Sequence, residues 1–327
     1  MTTPVLSLIV PNHNHTEQLP RLFDSILAQS LKNLEVILVD DCSDASCAPL
    51  VEAYRNKGLP ISFLEYKQRI YTMQARLAGI RAAKADIIGF ADADDSLWGT
   101  EALQRHIALF QEHKADVLHF SVVFTDNQGN LTATAPLCDP FAPFLKDSAI
   151  LSAYLDAHVL GASPLWNKLF ARPLCLKVAE TAQHTRVLRY VEDVHLLLRC
   201  FFYAKTYVGS ELTGYAQAYT DKGAAEAAER AVQISLSLEE QIPWLMEQGA
   251  DNTTVDRVAA FLHKLICRYA GRMSLNACQK EPRYISDATV EELLQLGDAK
   301  TLLKALLVGN GKNAERVTAV HKIMNNL

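Results

Sequence analysis

The 327-residue sequence predicts an α/β fold: a mostly parallel sheet flanked by helices, followed by an all-helical C-terminal extension. Two observations carry that expectation. Through the first third of the chain, short β-rich apolar runs alternate with segments whose apolar residues recur at helical spacing. From about residue 224 onward the pattern is helical alone, with stripes such as Leu262, Leu265, Ile266 and Tyr269.

Taken in order, "VLSLIV" (5–10) predicts the first strand. Leu19, Leu22, Phe23, Ile26 and Leu27 then fall on one face of a helix beginning near Thr16, whose hydroxyl suits an N-cap. Pro20 is tolerated there because it lies near the first turn. "LEVILV" (34–39) and "ISFLEY" (61–66) are the second and third strands, a helix is expected over 72–84, and "IIGFA" (87–91) is the fourth strand. A helix over 100–113 presents Leu103, Ile107 and Phe110, and leads to the strand-like "ADVLHFSVVF" (115–124). A proline-containing connection (136–143), a helix over 147–160, and the segments "SPLWNKLF" (163–170) and "RYVEDVHLLLRCFFYAK" (189–205) follow. The expected division is a domain over 1–215, made of halves 1–99 and 100–215, and a helical region over 216–327.

The composition, 49% hydrophobic and 21% charged, is that of a globular protein. A formal net charge of −5 argues against a general nucleic-acid binder, which would present a basic face. No apolar run approaches the roughly 18 residues of a spanning helix. The N-terminal "VLSLIV" has no basic residue before it and is stopped by Pro11 and Asn12, so it reads as a strand rather than a secretion signal. The cysteines at 42, 47, 138, 175, 200, 267 and 278 include no CxxC pair, which points to reduced thiols and a cytoplasmic protein with no zinc site.

Three strands end in polar clusters: "PNHN" after the first, "DDCSD" after the second and "DADD" after the fourth. In an open α/β sheet the carboxyl ends of the strands converge, and ligands bind there. Asp92, Asp94 and Asp95 crowd three like charges behind a buried strand. At an effective dielectric near 20, two such charges 4 Å apart repel by roughly 4 kcal/mol. Either they point apart as turn and cap residues, or a hard divalent cation such as Mg2+ or Mn2+ joins them and keeps positions for phosphate. The neighbouring polar strand ends favour the second reading.

The segments "VLSLIVPNHNHTEQLPRLFDSILAQSLKNLEVILVDDCSD" and "ARLAGIRAAKADIIGFADADDSLW" resemble the bacterial family 2 glycosyltransferases, whose nucleotide-sugar domain has the Rossmann-like fold called GT-A. The resemblance covers roughly residues 4–210. It implies that the segment with Pro11 and His13 borders the nucleotide base, and that Asp40 and Asp41 include the carboxylate that accepts a hydrogen bond from it. Arg76 would lie near the nucleotide. Asp92 and Asp94 would form the "DxD" element, with Asp94 and Asp95 reaching ribose and metal. "WNKLF" would form an acceptor-side segment around Trp166, Asn167 and Lys168. Glu192-Asp193 resembles the family's "ED" pair, whose aspartate is the general base of inverting members, with Glu192 on the acceptor side.

What the resemblance implies is metal-dependent transfer of one sugar, with Mn2+ or Mg2+, from a nucleoside diphosphate sugar (a UDP-sugar favoured) to an acceptor hydroxyl on a glycan or lipid-linked acceptor, in cell-envelope polysaccharide or glycolipid synthesis. The "QxxRW" motif of processive members is missing, which favours single transfers. Arg69 could supplement Arg76 at the diphosphate. Departures from the family pattern are His13 for the tyrosine of "PxYN", Cys42 for the glycine of "DDGS" and Leu77 for the asparagine of "ARN". They keep a rival reading open, a catalytically inactive sugar-nucleotide or glycan-binding protein derived from a transferase. No GxGxxG follows the first strand, which disfavours a dinucleotide oxidoreductase. His15 and His195 are assigned no role. The helical extension leaves open a homo-oligomer contact or peripheral contact at the inner face of the membrane, the latter weakly supported by the sparse Lys304, Lys312, Arg316 and Lys322.

Overall fold

The structure is a computed structural model. It describes residues 3–126, 128–134, 138–157, 163–182, 188, 190–218, 225–262 and 265, with backbone alone for 225–232, 235 and 238. Two compact units divide between Thr220 and Asp221, whereas the sequence suggested a boundary at 215, inside what proves to be a strand.

In the first unit β1 (Leu6–Asn12), α1 (Leu19–Leu27), β2 (Leu34–Asp41), α2 (Ala48–Asn56), β3 (Ile61–Tyr66), α3 (Tyr71–Ala82) and β4 (Ile87–Phe90) alternate as expected. There follow β5 (Ser96–Leu97), α4 (Ala102–Glu112), β6 (Val117–Thr125), β7 (Leu131–Thr134), β8 (Phe144–Lys146), α5 (Ser148–Asp156), β9 (Lys168–Ala171), α6 (Arg172–Ala182), α7 (Glu192–Tyr203) and β10 (Thr206–Ala218). One sheet runs β3-β2-β1-β4-β9-β6-β10-β5, with β7 on the edge of β6 and β8 on β10. Its first four strands are mutually parallel; β9 enters antiparallel between β4 and β6, and β6 and β10 are again parallel.

β1 is covered on both faces, as a parallel strand between crossover helices should be. Leu6, Leu8 and Val10 join Val36 and Leu38 of β2 and Leu19, Leu22, Phe23 and Ile26 of α1 in one core. On the opposite face Ile9 meets α3 at Gly79, where an added Cβ would lie 2.4 Å from Ile9 Cγ2. Both leading strands run further than their apolar runs suggest. β1 continues through Pro11 and Asn12, paired with Val39 and Asp40, so the polar residues of "PNHN" and "DDCSD" begin inside the sheet. Pro11 has no N–H to donate, and it sits beyond β4, whose ladder on β1 stops at Ile9.

Several boundaries differ from the sequence expectation. Helix α1 starts at Leu19 with Gln18 as N-cap and no side-chain cap, and Thr16 instead places its hydroxyl 3.2 Å from Cys47 Sγ. Of the helix expected over 147–160, the span Ser148–Asp156 is helical and 158–160 lie outside the described residues. The second unit contains α8 (Ala225–Glu247), interrupted in sequence by Pro243, and helical residues 252–262, whose start is capped by Asp251 accepting the Thr254 N–H at 2.7 Å. Leu262 and Leu265 of the expected stripe are buried; Ile266, Tyr269 and the basic residues of the last segment lie outside the described residues. No helix among the described residues is long and apolar enough to cross a membrane.

Candidate active site

Arg76 ties the turn after β4 to the start of α7. Helix α3 carries it inward so that only 3% of its side chain is exposed, and its guanidinium joins two ends of the chain that the sequence keeps far apart. Nη2 donates to Asp92 Oδ1 at 3.0 Å, just past β4. Nη1 donates to Glu192 Oε1 at 2.8 Å and to Asp193 Oδ1, both in the first turn of α7. Burial works against the charge on Arg76, but Asp193, Glu192 and Asp92 together outweigh it and raise its pKa. Three carboxylates share this one guanidinium. Burial first, and the Asp193 charge next, push the Glu192 carboxyl up to about 7. Asp193 is about a quarter exposed; Arg76 holds its Oδ1, and its Oδ2 has no partner among the described residues.

The turn after β4 separates the three aspartates that looked crowded in sequence. Asp92 turns to Arg76. Asp94 is partly exposed and has no hydrogen-bond or ion-pair partner among the described residues. Asp95 goes the other way, into the interior: Oδ2 accepts from the Tyr215 hydroxyl at 2.9 Å and Oδ1 from the Ala218 N–H at 2.8 Å. Burial, then the charges of Asp92 and Asp94, hold its carboxyl well above the usual range. The like-charge problem is therefore met by divergence, with one acid buried and one paired. Of the three, Asp94 is the residue that could hold a hard cation, since Mg2+ and Mn2+ commonly take only one or two carboxylates. Asp95, expected beside Asp94 as a ligand, has both oxygens already engaged. Among the described residues no group of three or more His, Cys, Asp or Glu is gathered as a protein-only metal site.

At the neighbouring strand ends, Asp40 is buried and bonded to Asn12 Nδ2 at 2.7 Å and to the Ser43 hydroxyl at 2.5 Å. Asp41 accepts from the backbone N–H groups of Ile70 at 2.5 Å and Tyr71 at 2.9 Å and pairs with Arg69 Nε at 3.0 Å, fixing the start of the helix that bears Arg76. His13 Nδ1 lies 2.9 Å from the Asp41 carbonyl, and the residue is half-buried. Cys42, where glycine would be least strained, adopts φ 58°; Asn14, Tyr71 and Val191 are also left-handed. Strain of this kind costs on the order of 1–3 kcal/mol per residue and gathers at binding sites. Four such residues border these strand ends or start the two helices that carry Arg76 and Asp193.

The expected acceptor segment lies deeper than the sequence suggested. Trp166 stacks on Tyr215 with ring centroids 4.7 Å apart and planes 12° from parallel. Asn167 donates to the Cys138 carbonyl at 2.9 Å, and Lys168 Nζ donates to the Pro164 carbonyl and Asn167 Oδ1, each at 2.7 Å. Both residues are completely buried, and burial pushes the Lys168 ammonium down to about 7. Tyr215 was not foreseen: "TGYAQA" has no spacing or charge that singles it out.

Residues 7–158 match the family described as Glycosyl transferase family 2. This chain carries a family 2 glycosyltransferase domain of GT-A fold. The amylovoran biosynthesis glycosyltransferase AmsB of Erwinia amylovora is 36% identical over 107 residues, 32% of this chain and 35% of AmsB. The crystal structure of Staphylococcus aureus TarS 1-349 in complex with UDP-GlcNAc superimposes with a TM-score of 0.64 at 20% identity, covering 96% of this chain and 83% of that one. Mannosyltransferase PcManGT from Pyrobaculum calidifontis, in complex with GDP-Man and Mn2+, gives 0.56 at 15% identity over 94% and 85%. The structural matches establish the fold of the transferase domain. The match to AmsB spans only about a third of that relative's length.

Proposed function

We propose that this chain is a metal-dependent, inverting glycosyltransferase that moves one sugar from a nucleoside diphosphate sugar, a UDP-sugar favoured, to an acceptor hydroxyl, in cell-envelope polysaccharide or glycolipid synthesis. The observation that carries the reading is the Arg76 node, which places the acid behind β4 and the first-turn acids of α7 on one guanidinium. On this reading donor and acceptor chemistry meet around that guanidinium.

The reaction needs two things of the protein. Breaking the sugar–phosphate bond builds negative charge on a diphosphate, and Asp94 is the free carboxylate suited to hold Mn2+ or Mg2+, which when bound supplies Lewis-acid stabilisation of that charge. The acceptor hydroxyl must lose its proton as it attacks the anomeric carbon. Asp193 is oriented through one oxygen and keeps the other available, the arrangement a general base requires. The UDP preference rests on TarS, solved with UDP-GlcNAc. Asn167 and Lys168, sealed in the interior, leave acceptor recognition to the surface around Asp193.

Calorimetry with UDP, with and without Mn2+, and turnover of a UDP-sugar test the reading together. UDP binding is expected to tighten roughly tenfold or more with Mn2+. Asp193→Asn is expected to keep that affinity while turnover falls by about 10²–10⁴. Equal UDP affinity with and without metal removes the metal role; undiminished turnover removes Asp193 as base.

A further inference from the structure

We infer that Tyr215 is a positioning residue of the diphosphate-binding turn: its hydroxyl, held between the Asp92 backbone and the Asp95 carboxylate, decides which acids of "DADD" face the ligand. The inference rests on the transferase reading above and adds to it a residue from the far side of the sheet. Tyr215 belongs to β10, more than a hundred residues beyond the turn, and is fully buried. The Asp92 N–H donates to its hydroxyl at 2.9 Å, and the hydroxyl donates onward to Asp95 Oδ2 at 2.9 Å. The second oxygen of Asp95 takes the Ala218 N–H at 2.8 Å, and the turn itself closes with the Asp95 N–H donating to the Asp92 carbonyl at 3.1 Å. Beyond the turn, β5 pairs with β10 at Leu97 and Tyr215, and the Trp98 N–H donates to the Gly214 carbonyl at 3.1 Å.

The turn is thus bound to β10 at both ends, and one hydroxyl connects them. Asp92's main chain and Asp95's side chain are drawn toward the interior. What remains on the ligand side is the Asp92 carboxylate, which reaches Arg76 at 3.0 Å, and the Asp94 carboxylate, which has no partner among the described residues. Trp166 stacked on the Tyr215 ring limits its sideways movement. Removing the hydroxyl leaves a part-buried N–H and a buried carboxylate oxygen each short of a partner, which frees the turn to reorient.

Tyr215→Phe keeps the ring and its stacking and deletes that single atom. The measurement is the Mn2+ concentration that half-saturates the metal-dependent gain in UDP affinity, followed by calorimetry, with thermal unfolding alongside. The expected result is a roughly tenfold rise in that concentration and little change in the weaker metal-free UDP binding. A role in the core alone would lower the unfolding temperature and leave the metal response where it was, and that result overturns the inference. Equal losses with and without metal overturn it as well. Should Tyr215→Phe not fold, Asp95→Asn, which keeps an acceptor for Ala218 and can still bond the hydroxyl, is compared with Asp94→Asn. Asp95→Asn is expected to weaken the metal response less; an equal loss makes Asp95 a ligand in its own right and overturns the inference. A wild-type chain with no metal effect on UDP binding refutes the proposed function and this inference together, whereas a wild-type metal effect untouched by Tyr215→Phe refutes the inference alone.

Discussion

Glu192 and Asp193 are adjacent carboxylates meeting the same guanidinium, yet their surroundings differ. Glu192 lies deeper, and burial raises its carboxyl from 4.5 to about 7. A carboxyl whose folded pKa is raised stabilises the fold below its unfolded value, and that contribution disappears as pH rises through the folded one. For Glu192 the window runs from 4.5 to about 7, and the span corresponds to a loss of about 3 kcal/mol at most. Glu192→Gln is therefore expected to flatten the fall in unfolding temperature between about pH 5 and pH 8, and to be the more stable protein at the upper end. Thermal melts of both proteins at the two pH values check this; parallel shifts would exclude Glu192 as the titrating group. The carboxylate pair was legible in the sequence through its resemblance to the family's "ED" pair, since acids in the first turn of a helix are ordinary by themselves. Their difference was not, since it comes from how deep each side chain sits against α3.

Helix α3 shows where sequence patterns succeed and where they stop. Its existence was readable from the run between two strands, although it is buried on both sides (Met73, Ala75, Leu77 and Ile80 as well as Arg76) and so lacks a clean apolar stripe. Gly79 is the position at which it approaches β1. Alanine there would gain about 1 kcal/mol of helix propensity, but its Cβ would lie 2.4 Å from Ile9 Cγ2, on a stiff β-branched side chain within a buried strand. Overpacking of that kind costs about 1–3 kcal/mol, so Gly79→Ala is expected to lower the urea midpoint and, by shifting α3, to weaken UDP binding. A midpoint equal to or above wild type would show that the helix can move away. Strand β10 is the opposite case. Its thirteen residues mix polar and apolar types without strict alternation and include register shifts against β6 at Ser210/Thr213 and Thr213/Tyr215. A bulged strand scrambles the two-residue period on which strand recognition depends, which is why β10, and Tyr215 with it, escaped the sequence reading.

The first unit holds every group assigned to the reaction: the strand ends of β1, β2 and β4, Arg76, Asp193 and Tyr215 all precede Thr220. A chain ended after Thr220 is therefore expected to unfold cooperatively and to bind UDP with Mn2+ within about threefold of the full chain. Broad unfolding or loss of binding would assign the helical region a part in donor binding, and calorimetry on the two lengths decides it. For the molecule as a whole, alternating apolar runs determined the α/β layering and the motif order identified the family, because both are patterns readable in local sequence. Tertiary structure alone decided which partner each acid meets. Asp92 and Asp95 are three residues apart, yet one reaches the Arg76 guanidinium and the other the Tyr215 hydroxyl. The physical reason is that a carboxylate's direction and charge state depend on which partner and how much water surround it, and both are supplied by segments distant in the chain.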